Sequence, residues 1–140
     1  MEIKQISVFL GNTAGRLGEV TRVLAGAGIN LRAISIADTA DFGILRIIVD
    51  KREQALKVLS DANFTAKVSD VVAVEIEDKP GSLAAVMDLF QKSSVNIEYL
   101  YASLEGKAGK AVVIFKLEEH QHQKGLGILK DNNISMIESF

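Results

Sequence analysis

Two short stretches of the sequence carry residue types that could bind a small charged ligand. The first is Asn12–Leu17 (NTAGRL) and the second is Asp78–Leu83 (DKPGSL), and both follow the pattern Asn/Asp-x-x-Gly-x-Leu. Each stretch comes after an alternating apolar run and before an amphipathic run, so each is predicted to join the end of a strand to the start of a helix. Because the first backbone N–H groups of a helix have no intrahelical acceptor, such a place is suited to hold an anion.

A second polar position recurs after the helix that each stretch is predicted to begin. Asn30 opens one predicted strand, and Asn96 opens the corresponding strand in the second half. An asparagine offers hydrogen-bond donors and acceptors, which suits a zwitterion, but such a residue alone is more often part of a turn. Asn12 and Asp78 have the same structural alternative, since either could stabilise the turn that precedes a helix.

The segment from Gly11 to Gly18 contains enough glycine to suggest a phosphate-binding loop. It matches neither the dinucleotide-binding fingerprint nor a Gly-Lys-Ser/Thr loop, and Gly11 and Gly18 have no counterparts in the second copy. Nucleotide binding is therefore disfavoured. Both copies share Gly15 or Gly81, where the missing side chain lets a backbone or a ligand come close to the helix start, and a leucine that is predicted to be core.

The other candidates for chemistry are weaker. His120 and His122 are the only histidines, but two histidines two residues apart with flanking carboxylates form no recognisable metal-ligand set, and a solvated loop is the preferred interpretation. The absence of cysteine excludes disulfides, thiol catalysis and zinc–thiolate sites. No nucleophile–base constellation is visible, so neither an enzyme, nor a metal site, nor a cofactor is predicted.

The hydrophobic periodicity predicts the elements that must position these residues. In the first half, strands are predicted at 3–10, 30–37, 44–49 and 65–68, and helices at about 17–27 and at 52–62. In the second half, strands are predicted at 71–76, 96–103, 110–116 and 134–138, and helices at 80–92 and 122–132. A shift of 66 residues aligns the halves without a gap through the third strand, which indicates an internal duplication.

Each half therefore reads β-α-β-β-α-β, the ferredoxin-like arrangement, with both helices on one face of a four-stranded antiparallel sheet. The predicted fold class is α+β, with one domain at 1–69 and a second at 70–140. No linker separates the halves, so the two domains are expected to be packed together.

Composition excludes several classes of function. With 140 residues, 48% hydrophobic and 24% charged, the chain resembles ordinary globular proteins. A formal net charge of −2 gives no electrostatic case for a nucleic acid or an anionic membrane as partner. No apolar run approaches the roughly 20 residues of a membrane span, and the N-terminus does not read as a signal peptide, so a cytoplasmic location is expected.

The repeated pattern resembles the ACT domain, a small β-α-β-β-α-β module that senses amino acids. Strand, Asn/Asp-x-x-Gly-x-Leu, helix and a strand opened by Asn-Leu or Asn-Ile follow one another twice, over essentially the whole chain. The chain is similar to small stand-alone proteins made of tandem ACT domains. The resemblance implies a non-enzymatic regulatory module with a free amino acid as effector, a homodimer as its assembly, and a metabolic enzyme as a possible partner.

In that family, domains usually pair side by side and the effector lies between them, so the resemblance implies two ligand sites. The first would use Asn12, Thr13, Gly15, Arg16 and Leu17 with Asn96 and Ile97. The second would use Asp78, Lys79, Gly81, Ser82 and Leu83 with Asn30 and Leu31. Helix-start N–H groups would hold the ligand carboxylate, and side-chain and carbonyl oxygens would hold its ammonium group.

The two sites are not equivalent. Asp78 would place a negative charge near the carboxylate pocket, whereas Asn12 is neutral and Arg16 adds a cation, so the first site is favoured. Serine-sensing members of the family carry a histidine two residues before the loop asparagine, where this chain has Leu10 and Ile76. Serine is therefore disfavoured as the effector. The alternative function is a regulatory subunit or interaction protein that uses its exposed sheet edges for assembly, without ligand sensing.

Overall fold

The computed structural model describes residues 3–11, 13–38 and 42–140 of the chain. Its backbone divides into two compact units, Lys4–Ser69 and Asp70–Ser139. Both units have the element order β-α-β-β-α-β, so the α+β fold that the repeat predicts is confirmed.

The N-terminal unit is built around β3. Its elements are β1 (Ile3–Gly11), α1 (Arg16–Gly26), β2 (Leu31–Asp38), β3 (Phe42–Val49), α2 (Arg52–Asp61) and the first part of β4 (Thr65–Glu77). β1 and β2 both pair antiparallel with β3, and the strand order is β2-β3-β1-β4. β1 and β2 therefore run parallel to each other on either side of β3, as a right-handed β-α-β crossover requires.

The C-terminal unit repeats this plan. Its elements are the second part of β4, α3 (Ser82–Lys92), β5 (Ile97–Ala102), β6 (Lys110–Leu117), α4 (His122–Asp131) and β7 (Ser135–Met136), with a 3-10 turn at Glu119–Gln121 before α4. The strand order is β5-β6-β4-β7, and each neighbouring pair is antiparallel. The second copy gains two residues before β6, since Val8 pairs with Leu45 and Val74 with Val113, and two more before α4, where the 3-10 turn lies.

β4 differs from the prediction because it is one continuous strand of 13 residues. The periodicity predicts two strands that meet near Ser69. The segment from Val68 to Val71 contains neither glycine nor proline, so nothing in its sequence ends the strand there.

Other bounds also differ, among them the start of β3, which is Phe42 rather than residue 44. α3 begins at Ser82 rather than at Pro80, because the intervening Gly81 has a left-handed backbone that cannot be part of the helix. β7 is limited to two residues, Ser135–Met136, and is shorter than the predicted 134–138.

Each unit buries an apolar core between its helices and one face of its sheet. In the N-terminal unit this cluster consists of Ile6, Val8, Leu10, Val20, Leu24, Ile29, Leu45, Ile47, Ala55, Leu59 and Phe64. In the C-terminal unit it consists of Val72, Val74, Val86, Phe90, Val95, Val113, Phe115, Leu117 and Leu129. Both helices of a unit contribute to a single cluster, which confirms that the helices cover the same face.

The helices end in one recurring way. The second residue after each helix has a positive φ, and it is Gly28 (69°), Asn63 (65°), Ser94 (55°) or Asn133 (56°). The N–H of the next residue reaches back five positions, as in the bond from Ile29 to the Leu24 oxygen at 3.0 Å. This arrangement satisfies carbonyl groups that the helix end would otherwise leave unpaired.

Within 3–11, 13–38 and 42–140, none of the helices has the length and apolar character that crossing a membrane requires.

Candidate functional site

The two loops between strand and helix have the same backbone hydrogen bonds. We call residues 11–16 the first loop and residues 77–82 the second loop. In the first loop, the N–H of Thr13 donates to the Gly11 oxygen at 2.8 Å, and the N–H of Arg16 donates to the Thr13 oxygen at 3.4 Å. In the second loop, the bond from Lys79 to Glu77 is 3.0 Å long and that from Ser82 to Lys79 is 3.4 Å long.

A left-handed glycine ends each loop. Gly15 has φ 88° and ψ −11°, and Gly81 has φ 92° and ψ −16°. A side chain in this conformation would lie too close to the following carbonyl oxygen, which is why both copies carry glycine here. The repeat comparison identified these glycines correctly, although the conformation itself is visible only in the structure.

The glycine places the first turn of each helix at the loop. In α1 the first i→i−4 bond runs from the N–H of Glu19 to the Gly15 oxygen at 2.9 Å. The N–H groups of Leu17 and Gly18 come before that bond, at the positions where a helix leaves its N–H groups available to a ligand or to water. The same bond at the start of α3 joins Ala85 to Gly81 at 3.0 Å.

The N-terminal unit has a cleft beside the first loop. Its volume is about 220 Å³, and it lies where the end of β1, the start of α1, β2 and the start of β3 come together. The lining residues are Leu10, Gly11, Thr13, Arg16, Leu17, Ile36 and Gly43. The cleft therefore combines three aliphatic side chains with a hydroxyl group and a guanidinium group.

Gly43 leaves room in this cleft because it has no side chain. It pairs with Leu10 across β1 and β3, so it lies on the same face of the sheet as the helices. A Cβ atom at Gly43 would be 3.6 Å from Cδ1 of Ile36, which is an ordinary van der Waals contact, and its φ lies outside the left-handed region. A side chain at this position would thus occupy the cleft without straining the backbone.

Arg16 lines the cleft and is held by two neighbours. Its guanidinium carbon lies 4.5 Å from the centroid of the Phe64 ring, and its Nη1 is 2.9 Å from Oε2 of Glu19. The ring contact has the geometry of a cation–π interaction. The positive charge predicted beside the first loop is therefore present, and Glu19 partly neutralises it.

The second loop carries different groups at the corresponding positions. Glu77 stands where the first loop has Gly11, and Lys79 stands where it has Thr13. Nζ of Lys79 lies 2.6 Å from Oε2 of Glu77. The hydrogen bond from Lys79, followed by the charges of Lys79 and Lys110, lowers the pKa of Glu77, and the same hydrogen bond raises the pKa of Lys79. Both side chains are exposed, Lys79 to 65% and Glu77 to 55%.

Leu10 pairs with Gly43 and Ile76 pairs with Ala111, so Ala111 is the structural counterpart of Gly43. The prediction that the halves align without a gap through the third strand is therefore wrong by two residues. Gly109, which that alignment matches with Gly43, comes just before β6. Its φ is 76°, in the left-handed region, and its oxygen accepts a 3.0 Å hydrogen bond from the N–H of Asp78. The aligned glycines of the two units therefore have different roles: Gly109 supports a turn against the second loop, and Gly43 continues a strand beside the cleft.

The two predicted asparagines adjoin the crossover after the third strand of their own unit. The N–H of Asn30 donates to Oδ1 of Asp50 at 3.0 Å. The N–H of Asn96 donates to Oε1 of Gln121 at 2.8 Å, and its Nδ2 donates to Oε1 of Glu118 at 2.9 Å. Both asparagines therefore take part in these connections through their backbone N–H groups, and Asn96 does so through its side-chain amide as well.

Leu31 and Ile97 begin β2 and β5, opposite Val49 and Leu117. Val49 ends β3, whereas Gly43 lies at its other end. Within the N-terminal unit, Asn30 and Leu31 are thus at the end of the sheet away from the first loop and its cleft.

The structure brings together part of the predicted first site. Thr13, Arg16 and Leu17 line the cleft and Gly15 precedes the helix beside it, whereas Asn12 lies outside the described residues. Leu17 is 41% exposed, so the prediction that this leucine belongs to the core is wrong. Sequence reasoning missed four lining residues, namely Leu10, Gly11, Ile36 and Gly43, as parts of a site. The signal that could have found them is strand pairing, since β3 is predicted to pair with both β1 and β2 in this fold.

The histidines lie outside this cleft. His120 is exposed, with its Nε2 3.5 Å from Oε2 of Glu118. The expectation of a solvated loop is wrong for His122, which begins α4 and is only 7% exposed. Among the described residues, no group of three or more histidine, aspartate and glutamate side chains is arranged to hold a metal ion.

Comparisons with known proteins agree with this architecture. A family model described as an ACT domain pair matches residues 1–139. A crystal structure of protein BT0572 from Bacteroides thetaiotaomicron is 39% identical, with a TM-score of 0.90 over 98% of this chain and 92% of that one. No curated protein matches significantly.

More distant structures share the fold alone. The ligand-free regulatory subunit of aspartate kinase from Thermus thermophilus is 18% identical, with a TM-score of 0.65 over 91% of this chain and 90% of that one. The corresponding subunit from Thermus flavus is 16% identical, with a TM-score of 0.64 over 94% and 92%. The duplicated unit, the paired loops and the match over nearly all residues together show that this chain belongs to the family of ACT domain pairs.

Proposed function

We propose that this ACT domain pair is a regulatory module that binds a free amino acid and has no catalytic activity of its own. The observation that supports the proposal is the cleft of about 220 Å³ beside the first loop, where a left-handed glycine precedes α1. Backbone N–H groups, a hydroxyl group and apolar side chains meet there, and these are the groups that an amino acid needs.

The chemistry of the cleft suits a zwitterion. The ligand carboxylate would accept hydrogen bonds from the N–H groups of Leu17 and Gly18, and the helix dipole would contribute roughly 0.3–1 kcal/mol. The hydroxyl of Thr13 and the carbonyl of Gly11 would accept from the ammonium group, since a carbonyl oxygen has two lone pairs. Arg16 would add positive charge on the carboxylate side.

Further groups belong to the proposal as predictions from the family resemblance. These are the use of Asn12 in the first site, its completion by Asn96 and Ile97, and a second site on Asp78, Lys79, Gly81, Ser82 and Leu83 with Asn30 and Leu31. A cytoplasmic location is part of the same proposal.

Calorimetric titration with the twenty amino acids tests the proposal. At least one amino acid should bind the unmodified protein, and Gly15→Ala should weaken that binding because alanine disfavours the backbone that places the N–H groups. Gly26→Ala is the matched control, since Gly26 lies at the other end of the same helix and a Cβ atom there meets nothing within 4 Å. If no amino acid binds at millimolar concentration, the ligand proposal fails.

A second candidate is a subunit that uses the fold for assembly without sensing a ligand. Large apolar side chains on the surface favour it, among them Phe9 (38% exposed), Leu100 (42%) and Leu104 (63%). The Thermus structures named as regulatory subunits of aspartate kinase have the same fold, so a metabolic enzyme is a reasonable partner class. A homodimer is proposed in either case.

Co-purification separates the two candidates. A stoichiometric enzyme partner together with silent titrations would favour assembly, and light scattering would report whether the isolated protein is a dimer.

A further inference from the structure

We propose that the cleft beside the first loop takes an amino acid with an uncharged aliphatic side chain, and that the second loop does not bind the same ligand, so that each chain binds one molecule. This inference rests on the proposed function and specifies the ligand class and the number of sites.

Three aliphatic side chains, from β1, α1 and β2, line the cleft. Leu10 is 3% exposed and forms part of the core, whereas Leu17 and Ile36 are 41% and 50% exposed. A ligand side chain that enters the cleft would cover the exposed parts of Leu17 and Ile36 and would itself leave water. Removing apolar surface from water is the term that rewards an aliphatic side chain and gives nothing to a charged one.

Among the side chains that the structure describes, the polar groups of the cleft lie at one end. Thr13 and Arg16 belong to the first loop and the start of α1, and the charge of Arg16 is already paired with Glu19 at 2.9 Å. Ile36 and Gly43 come from β2 and β3 and carry no polar side-chain atom. A ligand whose main-chain groups bind at the loop would therefore direct its side chain toward the apolar strands.

Gly43 provides the space for that side chain. A Cβ atom built there already comes within 3.6 Å of Ile36. A larger residue at position 43 would fill the place that the ligand needs, while the extended backbone would tolerate the change.

The second unit keeps an aliphatic residue at the positions of Leu10 and Leu17, but its apolar wall is smaller at the third position. Ala102 stands at the position of Ile36, and its smaller side chain would cover less of a ligand. The exposed ion pair of Glu77 and Lys79, 2.6 Å apart, replaces Gly11 and Thr13. An aliphatic ligand at the second loop would have to approach two hydrated charges, which is unfavourable because their hydration would be disturbed.

The test is calorimetric titration with a homologous series of alanine, 2-aminobutyrate and norvaline, together with leucine, serine, aspartate and lysine. The affinity should rise about fourfold for each added methylene, and the titration should saturate at one ligand per chain. In amide NMR spectra, the resonance of Gly43 should move during the titration and that of Gly109 should stay in place.

Two variants and a control locate the ligand side chain. Gly43→Val should reduce the affinity roughly tenfold or more because it fills the cleft. Ile36→Ala should also reduce the affinity roughly tenfold, because it removes an apolar contact and adds no atoms to the cleft. This second variant tests the inference even if Gly43→Val folds poorly. Leu100→Ala is the control, since Leu100 is a similarly exposed aliphatic residue on strand β5 of the other unit. This variant should bind the ligand with the affinity of the unmodified protein.

The possible failures are distinct. Tighter binding of serine, aspartate or lysine than of the aliphatic series would overturn this inference and leave the proposed function standing. Saturation at two ligands per chain would overturn the single site. Silence with every amino acid would instead overturn the proposed function itself.

Discussion

The guanidinium group of Arg16 lies over the ring of Phe64, 4.5 Å from its centroid. This contact joins the first turn of α1 to the residue that leads from α2 into β4, and Phe64 is itself only 5% exposed. Arg16 also lines the cleft beside the first loop. One side chain thus covers part of the core and supplies charge to the candidate site.

Replacing Arg16 should therefore lower stability as well as ligand binding. Arg16→Ala should reduce the free energy of unfolding by about 1 kcal/mol, because the cation–π contact and the cover over Phe64 are both lost. Arg16→Lys should lose less. Urea denaturation followed by circular dichroism measures the difference.

Arg52→Ala is the control for this comparison. Arg52 pairs with Glu53 at 3.2 Å, with the two side chains 40% and 82% exposed, and such surface pairs contribute little. If Arg16→Ala lowers the free energy of unfolding no more than Arg52→Ala does, the contact with the Phe64 ring has no role in stability.

Two helical glycines should respond to alanine in opposite directions. A Cβ atom at Gly125 in α4 would overlap Cδ1 of Leu117, which is fully buried, whereas the atoms nearest to a Cβ atom at Gly18 in α1 belong to the end of the Arg22 side chain, 3.0 Å away. Gly125→Ala should cost about 1–3 kcal/mol through overpacking. Gly18→Ala should add about 0.5–1 kcal/mol because alanine favours the helix.

Thermal unfolding of the two variants provides the measurement. The prediction is wrong if both substitutions move the unfolding temperature in the same direction. The first unit explains why α4 has a glycine here, because it has Ala55 at the position of Gly125 and the smaller Val49 at the position of Leu117. Val49 pairs with Leu31, as Leu117 pairs with Ile97. The large buried leucine under α4 is what requires the glycine.

The duplication explains why the fold could be predicted from the sequence and the cleft only in part. Apolar periodicity and the repeated glycines are local signals, and they indicate every strand and helix of both units. The cleft instead depends on which strand edges meet: Gly43 lies opposite Leu10, and Ile36 lies opposite Leu45. Those pairings are contacts between residues far apart in the chain, which single-residue patterns do not contain.

Alignment of the copies was also misleading at some positions. Comparison of the repeats set Gly11 aside because Glu77 replaces it, yet Gly11 lines the cleft. Gly43 and Gly109 align in sequence, but only Gly109 has a left-handed backbone. A comparison of the two repeats that keeps only their shared residues discards the positions at which they differ. Those positions are the ones that can give one repeat a site that the other lacks.

Exchanging glycine and serine between the turns that follow α1 and α3 should change stability in opposite directions. Gly28 and Ser94 hold the same left-handed position, with φ of 69° and 55°. Ser94→Gly should stabilise the protein by about 0.5–1 kcal/mol because serine is strained there, and Gly28→Ser should destabilise it by a similar amount.

Chemical denaturation of both variants checks this exchange. The 2.8 Å bond from Nε2 of Gln121 to the Ser94 oxygen involves the backbone, so it should survive the substitution of Ser94. Destabilisation by Ser94→Gly would show that the serine side chain has a role that its backbone conformation does not reveal.

The ion pair of the second loop should be visible in a pH titration. The hydrogen bond and charge of Lys79 lower the pKa of Glu77, so Lys79→Met should raise that pKa toward its ordinary value. Lys110→Met should raise it less, because Lys110 acts through its charge alone. Carboxyl chemical shifts in NMR spectra report the pKa of Glu77 directly.

The directions of the two pKa shifts determine how the contribution of Glu77 and Lys79 to stability depends on pH. Because the folded pKa of Glu77 is lowered, its contribution is present above the unfolded pKa and is lost as the pH falls through the folded pKa. Because the folded pKa of Lys79 is raised, its contribution is present below the unfolded pKa and is lost as the pH rises through the folded pKa. The pair should therefore contribute most to stability at pH values above the pKa of Glu77 and below the pKa of Lys79. The contribution should diminish with added salt because both groups are exposed. An unchanged Glu77 pKa in Lys79→Met would show that the pair does not persist in solution.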